Sequence, residues 1–192
     1  TTTKEYAHSW KNALRHLPEN KVYSVPVCAI EPATELSMHM TNPTEKIAVL
    51  GAGTMGAGIA QVAAQAGFDT LLYDIKQEFI ETGLGRIRGF LKGSRERGKL
   101  SAEQEQQILA RLRSTTQLED CQGAALVIEA APEKLELKRD IFKQLDSICG
   151  PETLLASNTS SFNVTAIAAS TKHQERVLGL HFFNPPRYMH LA

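Results

Sequence analysis

The chain has 192 residues, of which 42% are hydrophobic, enough for one sizeable domain or for one domain with an appendage. Its 21 basic and 21 acidic residues cancel, and no block of like charge favours nucleic acid or an anionic membrane as a partner. No apolar stretch is long enough to cross a bilayer. Cys28, Cys121 and Cys149 are odd in number and widely spaced, which indicates reduced thiols of a cytoplasmic protein rather than a disulfide framework or a metal site.

Residues 1–45 differ in character from the rest of the chain. Residues 6–17 predict a short helix, and residues 22–30 are β-prone but are interrupted by Pro26. We interpret the segment as a linker, or as the tail of an upstream segment, that forms an irregular N-terminal extension. Residues 46–192 then form the domain that carries the recognisable motifs.

A glycine-rich turn follows the first apolar run of that domain. Residues 46–50 predict a strand, and the turn has the spacing G-x-G-x-x-G at Gly51, Gly53 and Gly56. In such a turn the first glycine allows the tight bend and the second lets the backbone approach a pyrophosphate closely. The third glycine allows the following helix to pack tightly on the strand. The pattern therefore predicts a dinucleotide-binding loop.

The helix after the loop is expected to run to about residue 67. Its N-terminus would direct N–H groups and the positive end of the helix dipole at the phosphates. Thr54 and Met55, at the start of this helix, therefore complete the predicted set of phosphate-binding residues.

Asp74 ends the second predicted strand, residues 70–73. It lies roughly twenty residues past the loop, where a dinucleotide site places the carboxylate that binds the adenosine ribose. A carboxylate there repels a 2′-phosphate, so NAD is the predicted cofactor rather than NADP. Two alternatives stay open: Lys76 could tolerate that phosphate, and Asp74 could be a turn or N-cap residue.

Strands alternate with helices along the remaining chain, which predicts an α/β fold with a doubly wound parallel sheet of the Rossmann type. A capping box at Ser101 opens one predicted helix, which runs through Leu112. The other predicted helices cover residues 77–98, residues 134–148 and a segment around 164–168. The predicted strands cover residues 125–128, 154–156 and 177–180.

Basic residues crowd the second half of the predicted helix at 77–98, and Arg97 lies at its end. They form either a solvated helix face or a landing site for an anionic substrate arm. Lys138, taken alone, is an ordinary lysine of the helix at 134–148.

Polar side chains collect where the predicted strands end, and ligands of such sheets bind outside the carboxyl ends of the strands. The clusters are the glycine loop, Asp74, Glu129 with Glu133, residues 157–161, and His181 with Asn184. A histidine is a suitable base for the O–H proton of an alcohol while a nicotinamide takes the hydride. Ser160 and Asn184 could hydrogen-bond the same oxygen. The alternatives are that His181 is a core residue and that Ser160 is a helix N-cap.

The residues at these strand ends resemble the NAD-binding domain of the L-3-hydroxyacyl-CoA dehydrogenases. The motifs are residues 47–60, 127–132, 156–161 (A-S-N-T-S-S) and 181–185 (H-F-F-N-P), and the last two are highly specific. The resemblance implies NAD-dependent oxidation of an L-3-hydroxyacyl thioester to the 3-oxoacyl thioester, as in fatty-acid β-oxidation.

The resemblance also implies roles for individual residues. His181 would be the catalytic base, Ser160 would contact substrate and nicotinamide, and Asn184 would help to order the site. Glu133 and Lys138 fall on family positions near the cofactor. Arg97 falls where the family has a lysine that touches the CoA arm, whereas Phe90 replaces a CoA-contacting serine of some members.

The chain departs from the family pattern at its end. The glutamate that orients the histidine in the family would fall one position after Ala192. In the family a C-terminal helical domain then completes the substrate pocket and forms a homodimer. We therefore expect a domain cut from a larger enzyme, which binds NAD but turns over weakly or not at all.

Other functions stay open at this point. Pro186-Arg187-Tyr188 replaces the small apolar residues usual in the family. Related dehydrogenases act on acyl-carrier-protein thioesters or on sugar acids, although the Phe-Phe pair after His181 favours acyl thioesters. A non-catalytic dinucleotide-binding module is the rival from another class, and it would not need the set of Ser160, His181 and Asn184.

Overall fold

The structure, a computed structural model, describes residues 45–187. In that range six strands form one parallel sheet with the order β3-β2-β1-β4-β5-β6. The predicted doubly wound Rossmann-type sheet is therefore confirmed. The helix predicted at residues 6–17 and the β-prone residues 22–30 lie outside the described residues. The strands are β1 (Lys46–Leu50), β2 (Asp69–Tyr73), β3 (Leu112–Thr115), β4 (Leu126–Glu129), β5 (Leu154–Ser157) and β6 (Val177–Gly179).

Helices connect the strands and cover both faces of the sheet. They are α1 (Thr54–Gln65), α2 (Gln77–Glu96), α3 (Ala102–Ala110), α4 (Leu135–Ile148) and α5 (Val164–Ala168), with short 3₁₀ turns at Leu118–Cys121 and Gln174–Arg176. In residues 45–187, no helix combines the length and the apolarity that a membrane crossing requires.

Alternation along the strands divides the core into two layers. Val49 of β1 faces a layer that α1, α2 and α3 cover, with Ile59 and Leu91 among its buried residues. Leu50 faces the opposite layer, which α4 and α5 cover through Phe142 and Ile167. Because both faces are buried, the central strands are almost entirely apolar, and the functional side chains lie where the strands end.

The predicted helix from Ser101 ends earlier than expected. The capping box forms, since Gln104 N donates to Ser101 Oγ at 3.1 Å and Ser101 N donates to Gln104 Oε1 at 2.8 Å. The helix nevertheless stops at Ala110, and Leu112 begins the edge strand β3, so the prediction through Leu112 is wrong. Thr70 N donates to Arg111 O at 2.9 Å and so draws this segment into the sheet.

Candidate active site

Two positions, one in the turn after β1 and one in the first turn of α1, can be built only from glycine. Gly51 has a φ of +98°, and a Cβ there would lie 2.6 Å from Ala130 O at the end of β4. A Cβ on Gly56 would overlap the carbonyl oxygen of Gly51. Gly56 therefore permits close packing of α1 on the turn itself, not only on the strand as predicted.

The N-terminus of α1 provides a suitable place for phosphate groups. Apart from its chain neighbours, no described residue lies within 4 Å of where a Cβ on Gly53 would stand, and Gly53 and Thr54 are exposed. Among the described residues no side chain caps this helix end, and its first turn carries no acidic residue. The N–H groups of the first turn, including those of Thr54 and Met55, are thus placed for anionic oxygens.

Asp74 anchors the glycine turn from the end of β2. Its Oδ2 accepts a hydrogen bond of 2.7 Å from Ala52 N, and its Oδ1 accepts one of 2.8 Å from Ile75 N. The bond to Ile75 is a turn contact of the kind left open by the sequence. Each carboxylate oxygen retains a lone pair, so the same side chain can still accept a ribose hydroxyl.

Lys76 contacts its own helix instead of Asp74. Its Nζ lies 3.5 Å from Glu78 Oε1 and 5.4 Å from the ring centroid of Phe79. These contacts draw the ammonium towards the first turn of α2, which supports NAD over a cofactor with a 2′-phosphate.

Gly83 of α2 supports the turn in a way that the glycine motif does not indicate. A Cβ on Gly83 would lie 2.7 Å from Ala52 O, and Arg86 Nη1 donates to that same oxygen at 3.4 Å. The glycine in the sequence Thr82-Gly83-Leu84 was the available signal, because glycine disfavours the interior of a helix.

A buried ion pair lies below the ends of β4 and β5. Lys138 Nζ is 2.8 Å from Glu129 Oε1 and 3.1 Å from Glu133 Oε2. Glu129 also accepts hydrogen bonds from Ala131 N at 2.7 Å and from Ser157 Oγ at 2.6 Å. Lys138 is therefore more than an ordinary helix lysine, because it joins Glu129 at the end of β4 to Glu133 in the connection to α4.

Glu133 connects this ion pair to the loop that carries Ser160. It accepts hydrogen bonds from Thr159 Oγ1 and from Ser161 N, on either side of Ser160. Burial raises the pKa of Glu133, but the hydrogen bonds from Thr159 and Lys138 outweigh burial and hold that pKa below its ordinary value. Glu133 is therefore favoured as a carboxylate.

Ser160 is exposed at the carboxyl edge of the sheet, with its Oγ 3.4 Å from Ser161 Oγ. It is not the N-cap of α5, because Asn163 caps that helix and accepts a hydrogen bond of 2.9 Å from Thr165 N. The hydroxyl of Ser160 is thus directed to the surface where ligands of such folds bind.

His181 follows the end of β6 and is partly exposed, so it is not an enclosed core residue. Its ring centroid lies 5.2 Å from that of Phe183, with the two ring planes tilted by 45°. Phe182 is buried, and its N–H donates to Asn158 Oδ1 at 2.7 Å. Asn158 belongs to the polar cluster at residues 157–161, but the sequence did not indicate its contact with the segment that carries His181.

Asn184 is exposed just beyond His181, and its peptide bond to Pro185 is cis. The next residue, Pro186, packs on α1: a Cβ on Gly58 would stand 3.1 Å from Pro186 Cγ. The segment after β6 therefore returns to α1, the helix that begins at the glycine turn.

A groove of about 330 Å³ lies between α1 and α2, and Gln61, Arg86, Phe90 and Arg187 are among its lining residues. The guanidinium carbon of Arg187 lies 4.3 Å from the ring centroid of Phe90. Arg97 lies at the end of α2, where a Cβ on Gly93 would stand 3.2 Å from its Nη1, so its guanidinium lies back over its own helix. The groove combines two cations with one aromatic surface.

The chain matches a known family and several known proteins. Residues 46–192 match the family described as "3-hydroxyacyl-CoA dehydrogenase, NAD binding domain". The 3-hydroxyadipyl-CoA dehydrogenase of Escherichia coli is 50% identical over 148 residues, which cover 77% of this chain and 31% of the relative. A probable 3-hydroxybutyryl-CoA dehydrogenase of Deinococcus radiodurans is 47% identical over 147 residues, which cover 77% of this chain and 52% of the relative.

A solved structure shows the same similarity. The crystal structure of 3-hydroxybutyryl-CoA dehydrogenase from Escherichia coli superposes with a TM-score of 0.75 and 49% identity, over 77% of this chain and 31% of that chain. The present chain thus spans 31% to 52% of the length of the relatives described here.

Proposed function

Because the chain belongs to the family of the 3-hydroxyacyl-CoA dehydrogenase NAD-binding domain and carries an NAD-binding fold, we propose a specific reaction for it. The reaction is oxidation of an L-3-hydroxyacyl-CoA thioester to the 3-oxoacyl thioester. One observation supports it above all: the hydrogen bond between Asn158 and Phe182 ties the strand end that carries His181 to the loop that carries Ser160.

The cofactor fits the residues at the ends of β1 and β2. The N–H groups at Gly53, Thr54 and Met55 would bind the pyrophosphate, and Asp74 would accept the ribose hydroxyls. NAD supplies the acceptor for the hydride when it is bound. Glu133 and Lys138 would stand at the nicotinamide side, where they also hold the loop around Ser160.

The chain's own residues would handle the proton and the substrate oxygen. His181 would take the proton from the 3-hydroxyl as general base and return it to the ketone oxygen in the reverse direction. Ser160 and Asn184, both exposed at the same edge, would hydrogen-bond that oxygen while its charge changes. A base and two hydrogen-bonding groups at one oxygen suit a secondary alcohol.

We propose that the phosphate-bearing arm of the CoA thioester lies along the groove between α1 and α2. Arg86 and Arg187 would bind phosphate groups, and Phe90 offers a flat surface for stacking. Arg97, further along α2, would extend the cationic surface towards the end of that arm.

For the whole protein we also propose the remaining elements of the resemblance. They are a linker or upstream tail at residues 1–45, a C-terminal helical domain that completes the substrate pocket, and a homodimer formed through that domain. Light scattering on the longer protein tests the dimer, and a monomer at assay concentrations would contradict it.

The initial rate of NADH oxidation with acetoacetyl-CoA tests the reaction, on this chain and on the chain extended by its native continuation. We expect activity in at least the extended form, and His181→Gln should lower kcat by about 10²–10⁴-fold with NADH affinity retained. His173→Gln is the matched control, because His173 is exposed and contacts Asp146 instead.

The outcomes distinguish the candidate functions. If NADH binds but acetoacetyl-CoA is not reduced by either form, the CoA thioester assignment is wrong, and carrier-protein thioesters or sugar acids are tested next. If NADH binds, neither form turns over any of these substrates and His181→Gln leaves the affinity for NADH unchanged, a non-catalytic dinucleotide-binding module is the better description. If turnover is present and His181→Gln leaves it unchanged, His181 is not the base. If NADH does not bind to the wild-type chain, the proposed cofactor site itself is overturned.

The groove has its own test. Arg187→Gln and Arg97→Gln should each raise the KM for acetoacetyl-CoA by about tenfold, as expected for loss of a charge-assisted hydrogen bond. Neither should change the KM for acetoacetyl-pantetheine, which lacks the nucleotide phosphates. Arg88→Gln is the control on the exposed face of α2. Equal effects with both substrates would contradict the assignment.

A further inference from the structure

Asn158 lies at the point where the pairing between β5 and β6 ends. Ser157 closes β5 and Gly179 closes β6, and the last backbone bond between them runs from Leu180 N to Ser157 O at 2.9 Å. One step further, the side chain of Asn158 replaces the backbone acceptor, because its Oδ1 accepts from Phe182 N at 2.7 Å. The amide therefore extends the sheet by one rung beyond its last strand.

This extra rung brackets His181 on both sides. The residue before it is bonded through Leu180 N, and the residue after it is bonded through Phe182 N. Fixing the peptide plane between His181 and Phe182 fixes the backbone dihedral ψ of His181, and with it the direction in which the imidazole leaves the chain. Phe182 is 5% exposed and belongs to the core layer of Val49 and Ile59, so its side chain also anchors this segment.

Asn158 is itself held in place by the sheet. Its N–H donates to Glu129 O at 2.8 Å, and Glu129 is the last residue of β4. Ser160 follows Asn158 by two residues, so one short loop carries both the anchor of His181 and the serine beside it. The distance between the side chains of His181 and Ser160 is therefore determined by a short stretch of backbone and by the side-chain amide of Asn158.

We propose that Asn158 is a positioning residue that orients His181 relative to Ser160 through the Phe182 amide. The role in turnover rests on the proposed function, whereas the geometric role does not. An acceptor is required at this position, because an aliphatic side chain would leave the N–H of Phe182 without its partner.

Two variants separate the hydrogen bond from the volume of the side chain. Asn158→Leu keeps the approximate shape and removes the acceptor, and Asn158→Asp keeps an acceptor oxygen. Asn163→Leu is the matched control: Asn163 lies in the same connection and caps α5, but it bonds Thr165 N rather than the His181 segment. A loss of local stability alone would therefore appear in the control as well.

Measurements on the chain itself test the geometry without any need for turnover. Hydrogen exchange of the Phe182 amide should accelerate at least tenfold in Asn158→Leu and remain near the wild-type rate in Asn158→Asp and Asn163→Leu. The ¹⁵N chemical shifts of the His181 imidazole should move in Asn158→Leu and stay at their wild-type values in Asn163→Leu. If neither observable changes in Asn158→Leu, the proposal is overturned.

Kinetics on the chain extended by its native continuation test the consequence. Asn158→Leu should lower kcat with acetoacetyl-CoA by about 10- to 100-fold, since small misplacements of a catalytic group have effects of that order. The KM for NADH should stay within about twofold, and Asn158→Asp should recover most of kcat. An unchanged kcat in Asn158→Leu, or a parallel fall in Asn163→Leu, would contradict the positioning role in turnover. A wild-type protein without turnover would refute the dehydrogenase proposal. The geometric role of Asn158 would then be decided by the hydrogen-exchange measurement alone.

Discussion

Lys138 Nζ lies 2.8 Å from Glu129 Oε1, and the two side chains are 1% and 0% exposed. A salt bridge this deeply buried adds little stability relative to a well-packed apolar pair, but removing one partner leaves an uncompensated charge in the interior. The pair also reaches Glu133, which holds Thr159 and Ser161. The ion pair thus supports the loop around Ser160 rather than the helix on which Lys138 lies.

Lys138→Met should destabilise the fold by about 3–5 kcal/mol, because Glu129 then has no buried cation. Urea unfolding followed by circular dichroism measures the loss. The double variant Lys138→Met with Glu129→Gln should recover part of it. Lys143→Met, on the exposed face of the same helix, should stay within about 0.5 kcal/mol of wild type. Equal effects of the two single lysine variants would refute the role of the pair.

Gly83→Ala should weaken NADH binding as well as stability, because the new methyl group would meet the carbonyl of Ala52 in the phosphate turn. We expect the free energy of unfolding to fall by about 1–3 kcal/mol, as is typical of overpacking in a close contact. The control is Gly85→Ala in the same helix, where no described atom lies within 4 Å and helix propensity favours alanine. NADH fluorescence titration and thermal unfolding check both variants, and a Gly83→Ala protein as stable as Gly85→Ala would contradict the contact.

Asp74→Asn should weaken NADH binding by about 1.5–3 kcal/mol, the range for hydrogen bonds to a charged group. The ratio of NADPH to NADH affinity should rise, since the repulsion of the 2′-phosphate is removed. Fluorescence titration with both nucleotides measures this. Asp69→Asn at the opposite end of β2 is the control and should leave both affinities unchanged. A fall in both affinities with no change in their ratio would limit Asp74 to anchoring the turn.

Acid should weaken the connection between α4 and β6. Burial raises the pKa of Asp146, but hydrogen bonds from Arg176, the Lys172 backbone and His173 overcome burial and hold that pKa at about 2, below the ordinary 3.8. A lowered pKa in the folded state contributes stability that is complete above pH 3.8 and is lost as the pH falls towards 2. The free energy of unfolding should fall by about 2 kcal/mol over this pH range.

Asp146→Asn tests this expectation in urea unfolding curves recorded between pH 2 and pH 5. The variant should be less stable than wild type near pH 5, and the difference should shrink as the pH approaches 2. Asp140→Asn, exposed on the same helix, is the control and should keep the wild-type pH dependence in that window. A constant difference between Asp146→Asn and wild type across the range would refute the assignment.

The sequence and the structure agree where chemistry depends on local spacing. The intervals among Gly51, Gly53 and Gly56 predict a tight turn between a strand and a helix, and the structure has this turn, with a positive φ at Gly51. Asp74, at the end of the next strand, accepts a hydrogen bond from Ala52 N in that turn. The strand ends that carry Ser160 and His181 follow apolar runs, which the alternation of strands and helices identifies.

The sequence failed where a contact joins distant parts of the chain. Two of the four residues of β3 are exposed, so the segment lacks the apolar run of a buried strand. Its Leu112 instead continues the helical spacing of the residues before it, and only pairing with β2 makes the segment a strand. From the sequence alone Lys138 is an ordinary helix lysine; only the folded chain brings it beside Glu129, which lies nine residues away on a strand.

The sequence alone therefore determined the fold class, the glycine turn between β1 and α1 and the identities of the polar residues at the strand ends, because each depends on periodicity or on short intervals along the chain. The tertiary structure decided which of those residues support one another. Three contacts show this: Gly83 packs against Ala52, Lys138 lies between two carboxylates, and Asn158 accepts a hydrogen bond from the Phe182 amide. Each joins separate elements that only the packing of the sheet brings together. Hydrogen bonds and ion pairs act over about 3 Å, so their partners become known only when the chain is folded.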